Sequence, residues 1–288
     1  MHPISLSSRL VAGSLTAGQN PGNRNLLRLS TLLTLFLMTL ATFTPPDDAL
    51  AQKNIVLVHG AWADGSSWAK IIPQLQAKGY HVVAVQNPLT SLEDDVTATK
   101  QAIARLDGPV LLVGHSWGGV VITQAGDDPK VTGLVYVAAW VPDEGQTMED
   151  LAKAYPPSPA GPEFRQDAAG FLTISPKGMD QHFVPDLTPG ERKLVYATQG
   201  PWAGKNFVTK VSKVAWRNKP SWNVVATDDH MIHPDQQRFQ AKRMKATTIE
   251  VKSGHVPMLS QPDKVAAFIL QAAGQVAAQT KAVATGNE

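Results

Sequence analysis

No cysteine occurs among the 288 residues. Thiol nucleophiles, disulfides and cysteine-ligated metals are therefore excluded. A surplus of one charge is missing as well. Lys and Arg together number 26 against 24 for Asp and Glu, a net charge of +2 in a chain only 17% charged. Nothing in that balance points to nucleic acid or to an anionic membrane surface. Long apolar runs are scarce between Val141 and Pro220, where prolines and scattered aromatics replace them. What remains is a chain 43% hydrophobic, long enough for one globular domain with a large core and an insertion.

One stretch organises the rest. Val110 to Val113 has the length and β-branching of a buried strand, and Gly114-His115-Ser116-Trp117-Gly118 follows at once, leading into a helical pattern. Strand, tight turn and helix with Ser at the apex is the arrangement that presents a nucleophilic hydroxyl above a sheet edge. The two glycines remove collisions across the turn. The helix behind aims its unpaired N–H groups at the reacting centre.

Around this stretch the chain alternates strands and helices about every 25 residues. Lys53 to Gly60, His81 to Val85, Val131 to Ala139, Ser221 to Thr227 and Thr247 to Val251 read as strands. Trp68–Ala77, a helix capped by Ser91 and Asp94 that runs to Leu106, 117–126, Pro234–Lys245 and a last one over 261–278 read as helices. The rhythm predicts an α/β domain with a mostly parallel, doubly wound sheet covered on both faces. It fails over 141–220, where a structureless loop of that length is improbable, so a helical cap inserted over the site is expected. The core is then 52–140 with 221–288.

Residues 1–51 read as an export leader. Arg24 and Arg28 precede the uncharged apolar run Leu29 to Phe43, and Ala49-Leu50-Ala51 is a small-residue cleavage site. An exported protein cleaved after Ala51, with no stable membrane partner, is the expectation; an uncleaved membrane anchor is the alternative.

A serine nucleophile needs a base, and the base needs an orienting carboxylate, in the chain order Ser, acid, His for this strand–turn–helix setting. Among the eight histidines, His255 stands beyond the carboxyl end of a strand, in a short loop before the last helix, where open α/β sheets gather ligands. The acid should leave the preceding strand at the same edge, where Asp228 and Asp229 both qualify. Backbone N–H donors for a developing oxyanion are expected from Trp117, after the nucleophile, and from Ala61, after the first strand. Gly60, Trp62, Phe183 and Trp202 are candidate substrate contacts. Asp228, His230 and His233 in one loop are a weak match to a metal site, so no metal and no cofactor are expected.

Leu57-Val-His-Gly-Ala-Trp-Ala-Asp-Gly-Ser-Ser-Trp68, Gly114-His-Ser-Trp-Gly-Gly119, Val225-Ala-Thr-Asp-Asp-His-Met-Ile-His-Pro234 and Ser253-Gly-His-Val-Pro-Met-Leu-Ser260 together resemble the α/β-hydrolase superfamily. Within it they are similar to the branch of plant methyl-salicylate esterases, hydroxynitrile lyases and bacterial esterase relatives. That resemblance implies the α/β-hydrolase fold, selects Asp229 over Asp228, and implies a small-molecule ester as substrate. The lyases of that branch carry Thr where this chain has Gly60, and Lys where it has Val256, so hydrolysis is favoured. A cofactor-free C–C lyase and a non-catalytic receptor on the same fold are the alternatives. Oligomeric state has no signature in the sequence.

Overall fold

The computed structural model describes residues 54–284. The leader expected over 1–51 lies outside the described residues. Six strands make one all-parallel sheet: β1 (Asn54–Val58), β2 (His81–Val85), β3 (Val110–His115), β4 (Val131–Val137), β8 (Ser221–Ala226) and β9 (Thr247–Val251). Their spatial order is β2-β1-β3-β4-β8-β9. Every neighbouring pair is parallel. β1, β3 and β8 are buried along their full length, and the Val/Ile/Leu runs of β1 and β3 are what a sheet covered on both faces requires.

The covering helices are α1 (Ile72–Gln76), α2 (Leu92–Ala104), α3 (Trp117–Ala125), α6 (Pro234–Arg243) and α7 (Pro262–Ala284). Ser91 caps α2 by accepting the Asp94 N–H, and Glu93, Asp94 and Asp95 place negative charge in its first turn. The helix anticipated over Trp68–Ala77 is instead a 3₁₀ turn at Gly65–Trp68 and the single turn of α1. Pro73 lacks an N–H and is tolerated only in a first helical turn, so α1 starts there rather than continuing from Trp68. The last helix runs on to Ala284, past the 278 expected from its apolar spacing.

Between β4 and β8 the expected helical cap proves mixed. Short helices α4 (Met148–Ala152) and α5 (Pro189–Thr198) accompany a three-stranded antiparallel sheet of β5 (Phe164–Gln166), β6 (Phe171–Ile174) and β7 (Trp202–Ala203). This small sheet is fastened to the core by two bonds. The Trp62 indole donates to the Leu172 carbonyl at 2.9 Å, and the Ala203 N–H donates to the Leu89 carbonyl at 2.9 Å. Among the described residues, no helix is long and apolar enough to cross a membrane.

Candidate active site

β3 delivers Ser116 to the carboxyl edge of the sheet, and α3 leaves directly after it. Ser116 has φ 52° and ψ −121°, a strained conformation for a residue with a side chain. Neighbours with no Cβ make the turn possible. A Cβ on Gly114 would sit 2.5 Å from the Gly118 carbonyl oxygen, and one on Gly118 would sit 2.4 Å from that of Val58. The second collision is with the end of β1, so the turn is wedged against the neighbouring strand as well as folded on itself.

Three segments converge on the hydroxyl. His255 Nε2 lies 2.8 Å from Ser116 Oγ, and His255 Nδ1 lies 2.8 Å from Asp229 Oδ2. All three residues are buried. A carboxylate can only accept, so Nδ1 carries the imidazole proton and Nε2 is left to accept from the serine hydroxyl. Asp229 is fixed on both oxygens. Oδ1 accepts the N–H groups of Met231 and Ile232 at 2.7 and 3.0 Å, and Oδ2 also accepts the Gln237 amide at 2.8 Å. Asp228, the other carboxylate of this loop, is exposed and takes no part in the relay.

Two further histidines brace the site from below. His115 Nε2 donates to the His255 carbonyl at 2.8 Å. Burial holds His115 well below the usual histidine range, reinforced by the neighbouring His255. His59 Nε2 accepts the Asn87 N–H at 2.9 Å, which puts the proton on Nδ1, bonded to the Gly60 carbonyl at 2.8 Å. Burial lowers this histidine too. Both are neutral struts, one for the His255 loop and one for the loop after β1.

That loop carries Ala61, whose N–H donates to no protein acceptor among the described residues. The Trp117 N–H opens α3 and has no acceptor within its helix. Trp62, the next residue of the loop, has φ 55° and is held by its indole bond to β6.

Above Ser116 lies a cavity of about 600 Å³, lined by Trp62, Trp117, Trp140, Phe164, Trp202 and Phe207, with Met148, Ala152 and Pro156–Pro159 from the cap. The aromatic rings interlock: Trp202 meets Trp62 edge-on at 5.5 Å, Trp117 at 5.4 Å and Phe207 at 4.6 Å. Of the residues anticipated as substrate contacts, Trp62 and Trp202 are in this wall. Gly60 and Phe183 are not. Gly60 is packed beneath Ser116, where an added Cβ would lie 2.8 Å from the serine Cβ. Phe183 is buried against the His255 ring at 5.4 Å and supports it from the side.

Trp140, Phe164, Phe207 and Asp95 were not singled out by spacing. Asp95 is fully buried and accepts the Trp117 indole N–H at 2.7 Å. A signal for it exists in the sequence: it shares the apolar face Leu92, Val96, Thr99 and Ile103 of α2, the wrong place for a solvated charge. No group of three or more His, Asp or Glu converges in a metal-binding arrangement among the described residues.

The sequence profile described as the alpha/beta hydrolase family matches residues 55–268. Salicylic acid-binding protein 2 of Nicotiana tabacum is 26% identical over 254 residues, covering 77% of this chain and 97% of that protein. The carbendazim hydrolyzing esterase of Nocardioides sp. (strain SG-4G) is 32% identical over 174 residues, 54% of this chain and 69% of that one. A crystal structure of a pyrethroid hydrolase from Sphingobium faniae JZ-2 superposes with a TM-score of 0.68 at 23% identity, over 77% of this chain and 97% of its own.

Proposed function

The chain belongs to the alpha/beta hydrolase family, and on that premise we propose that it is a serine esterase acting on apolar, small to medium carboxylic esters through an acyl-enzyme. The observation that carries the reading is the unbroken relay Asp229–His255–Ser116 opening on an aromatic cavity. His255 Nε2 takes the hydroxyl proton as Ser116 Oγ attacks the acyl carbon. The carbonyl electron pair moves onto oxygen, where the Ala61 and Trp117 N–H groups receive it. His255 then returns the proton to the leaving alcohol and next draws one from water, which releases the acid. Asp229 keeps the imidazole in the required tautomer throughout.

The esterase name of the Nocardioides relative supports ester hydrolysis over the lyase alternative. So does the close packing at Gly60, which leaves no room beside Ser116 for the threonine that the lyases carry there. A cavity of about 600 Å³ walled by indole and phenyl rings suits a substrate with an apolar acyl or alcohol portion.

Ser116→Ala is expected to abolish hydrolysis of p-nitrophenyl acetate while the thermal midpoint stays near that of the parent. Turnover that survives this change would sink the mechanism. Because His255 must be neutral to accept the proton, kcat/KM should fall on acidification, read from a pH–rate profile. Export with cleavage after Ala51 belongs to the same proposal. N-terminal sequencing of the protein recovered outside the cytoplasm should then begin at Gln52, and an intact leader would overturn that part alone.

A further inference from the structure

Asp95 is a buried carboxylate that the relay does not use. It stands on the apolar face of α2 with no exposed surface, and among the described residues no cation stands beside it. Such a group is costly to bury, so its presence asks for a compensating use. Its two oxygens are both engaged, by donors from different segments. Oδ2 accepts the Trp117 indole N–H at 2.7 Å, and Oδ1 accepts the Leu89 N–H at 2.8 Å. Leu89 has φ 62°, a strained value, and its carbonyl receives the Ala203 N–H of β7. Trp202, the other residue of β7, meets the Trp117 ring edge-on. One carboxylate thus ties together the residue after Ser116 and the seat of the cap sheet.

We propose that Asp95 is a positioning residue of the oxyanion hole: by anchoring the Trp117 indole it fixes the direction in which the Trp117 backbone N–H points. This rests on the oxyanion role given above to that N–H. The Ser116–Trp117 peptide is held on one side, where the Ser116 carbonyl accepts the Gly119 and Trp140 N–H groups at 2.9 and 3.2 Å, and the Trp117 side chain supplies a second anchor that sets the tilt of this plane. That side chain is gripped at the far end by the carboxylate and on the face by Trp202. Burial pushes the Asp95 carboxyl up to about 6, against the two N–H donors that favour the ionised form.

The test compares the full-length parent with Asp95→Asn, Asp95→Ala and Trp117→Phe. Each is assayed for p-nitrophenyl acetate turnover and for inhibition by an aryl trifluoromethyl ketone. That ketone accepts Ser116 Oγ at its carbonyl carbon, the hydroxyl proton passing to His255 Nε2 and the carbonyl electron pair becoming an oxyanion in the hole. A displaced donor costs transition-state binding and little ground-state binding. The expected result is a kcat loss of about tenfold to a hundredfold with KM nearly unchanged, and a ketone Ki raised by a similar factor. Asp95→Asn/Trp117→Phe should be no worse than either single change, because the two side chains act as one unit.

Unchanged Ki in Asp95→Asn and Trp117→Phe, or losses that multiply in the double variant, would overturn the proposal. So would loss confined to the thermal midpoint and KM, which marks a purely structural tie. If Asp95→Ala does not fold, the other variants carry the decision. A parent that turns over no ester defeats the esterase reading, yet the ketone adduct still reads the donor: a raised Ki in the variants supports the positioning role and an equal Ki refutes it. A ketone that does not add to the parent refutes it as well.

Discussion

Asp229 holds four hydrogen bonds on two oxygens, three of them from the loop and helix that follow it. The carboxylate is therefore oriented before His255 arrives, and the imidazole proton has one place to go. Asp229→Asn would present an amide N–H₂ where acceptors are required, leaving His255 free to take the wrong tautomer. A kcat loss of about a thousandfold to ten-thousandfold is expected, measured against p-nitrophenyl acetate. Asp95 makes a different prediction, about stability. Its carboxyl is raised from 3.8 to about 6 in the folded state, so the folded protein binds that proton more tightly than the unfolded chain. The stabilisation is fully present below about pH 4 and is lost as pH rises through about 6. Because the lowered His59 and His115 titrate in the opposite sense in both proteins, the decline is read as a difference: the urea-unfolding free energy of the parent minus that of Asp95→Asn should fall between pH 4 and pH 7, on the order of 3 kcal/mol at most. Ser116 and His255 were legible because each stands in a loop at a strand's carboxyl end. Asp229 needed the family resemblance, since Asp228 fits the local pattern equally well. Asp95 is one of three acids in the first turn of α2, and only packing sets it apart by turning it toward Trp117.

Among the elements, the turn between β3 and α3 is the least forgiving. Gly118 faces the Val58 and His59 carbonyls at distances no Cβ can occupy. Gly118→Ala should lower the unfolding free energy by about 1–3 kcal/mol or more and misplace Ser116, with the loss of activity exceeding what unfolding at the assay temperature explains. Thermal melting and kcat on the same preparation separate the two effects. The inner strands β1 and β3 could be read from their continuous apolar runs, which need burial on both faces, whereas the edge strands β2 and β9 are only partly buried and could be read from their β-branched residues and their place in the alternation. α1 could not, because Pro73 interrupts a pattern that otherwise continues from Trp68. The cap sheet had no signal of its own. β5, β6 and β7 are three, four and two residues long, too short for a period of two to register. β7 also pairs with β6 across a long separation, Phe171 with Ala203 and Leu172 with Trp202, a pairing set by tertiary contact.

At the scale of the whole molecule, the relay belongs to the core and the cavity wall to both parts. Trp202 sits where they meet, touching Trp62, Trp117 and Phe207. Trp202→Ala should enlarge the cavity and cost about 3–5 kcal/mol of stability. Across a p-nitrophenyl ester series, the acyl length giving the best kcat/KM should move upward; an unchanged optimum would show that the wall does not select the substrate.

The way the small sheet is fastened has a consequence for how this protein can diversify. On the cap side, both bonds are made by backbone atoms, the Leu172 carbonyl and the Ala203 N–H. Side chains at those positions can therefore be exchanged without giving up the attachment. Mutational drift can exchange these two residues while the seam stays closed, as long as the Trp62 indole that makes one of its bonds is kept.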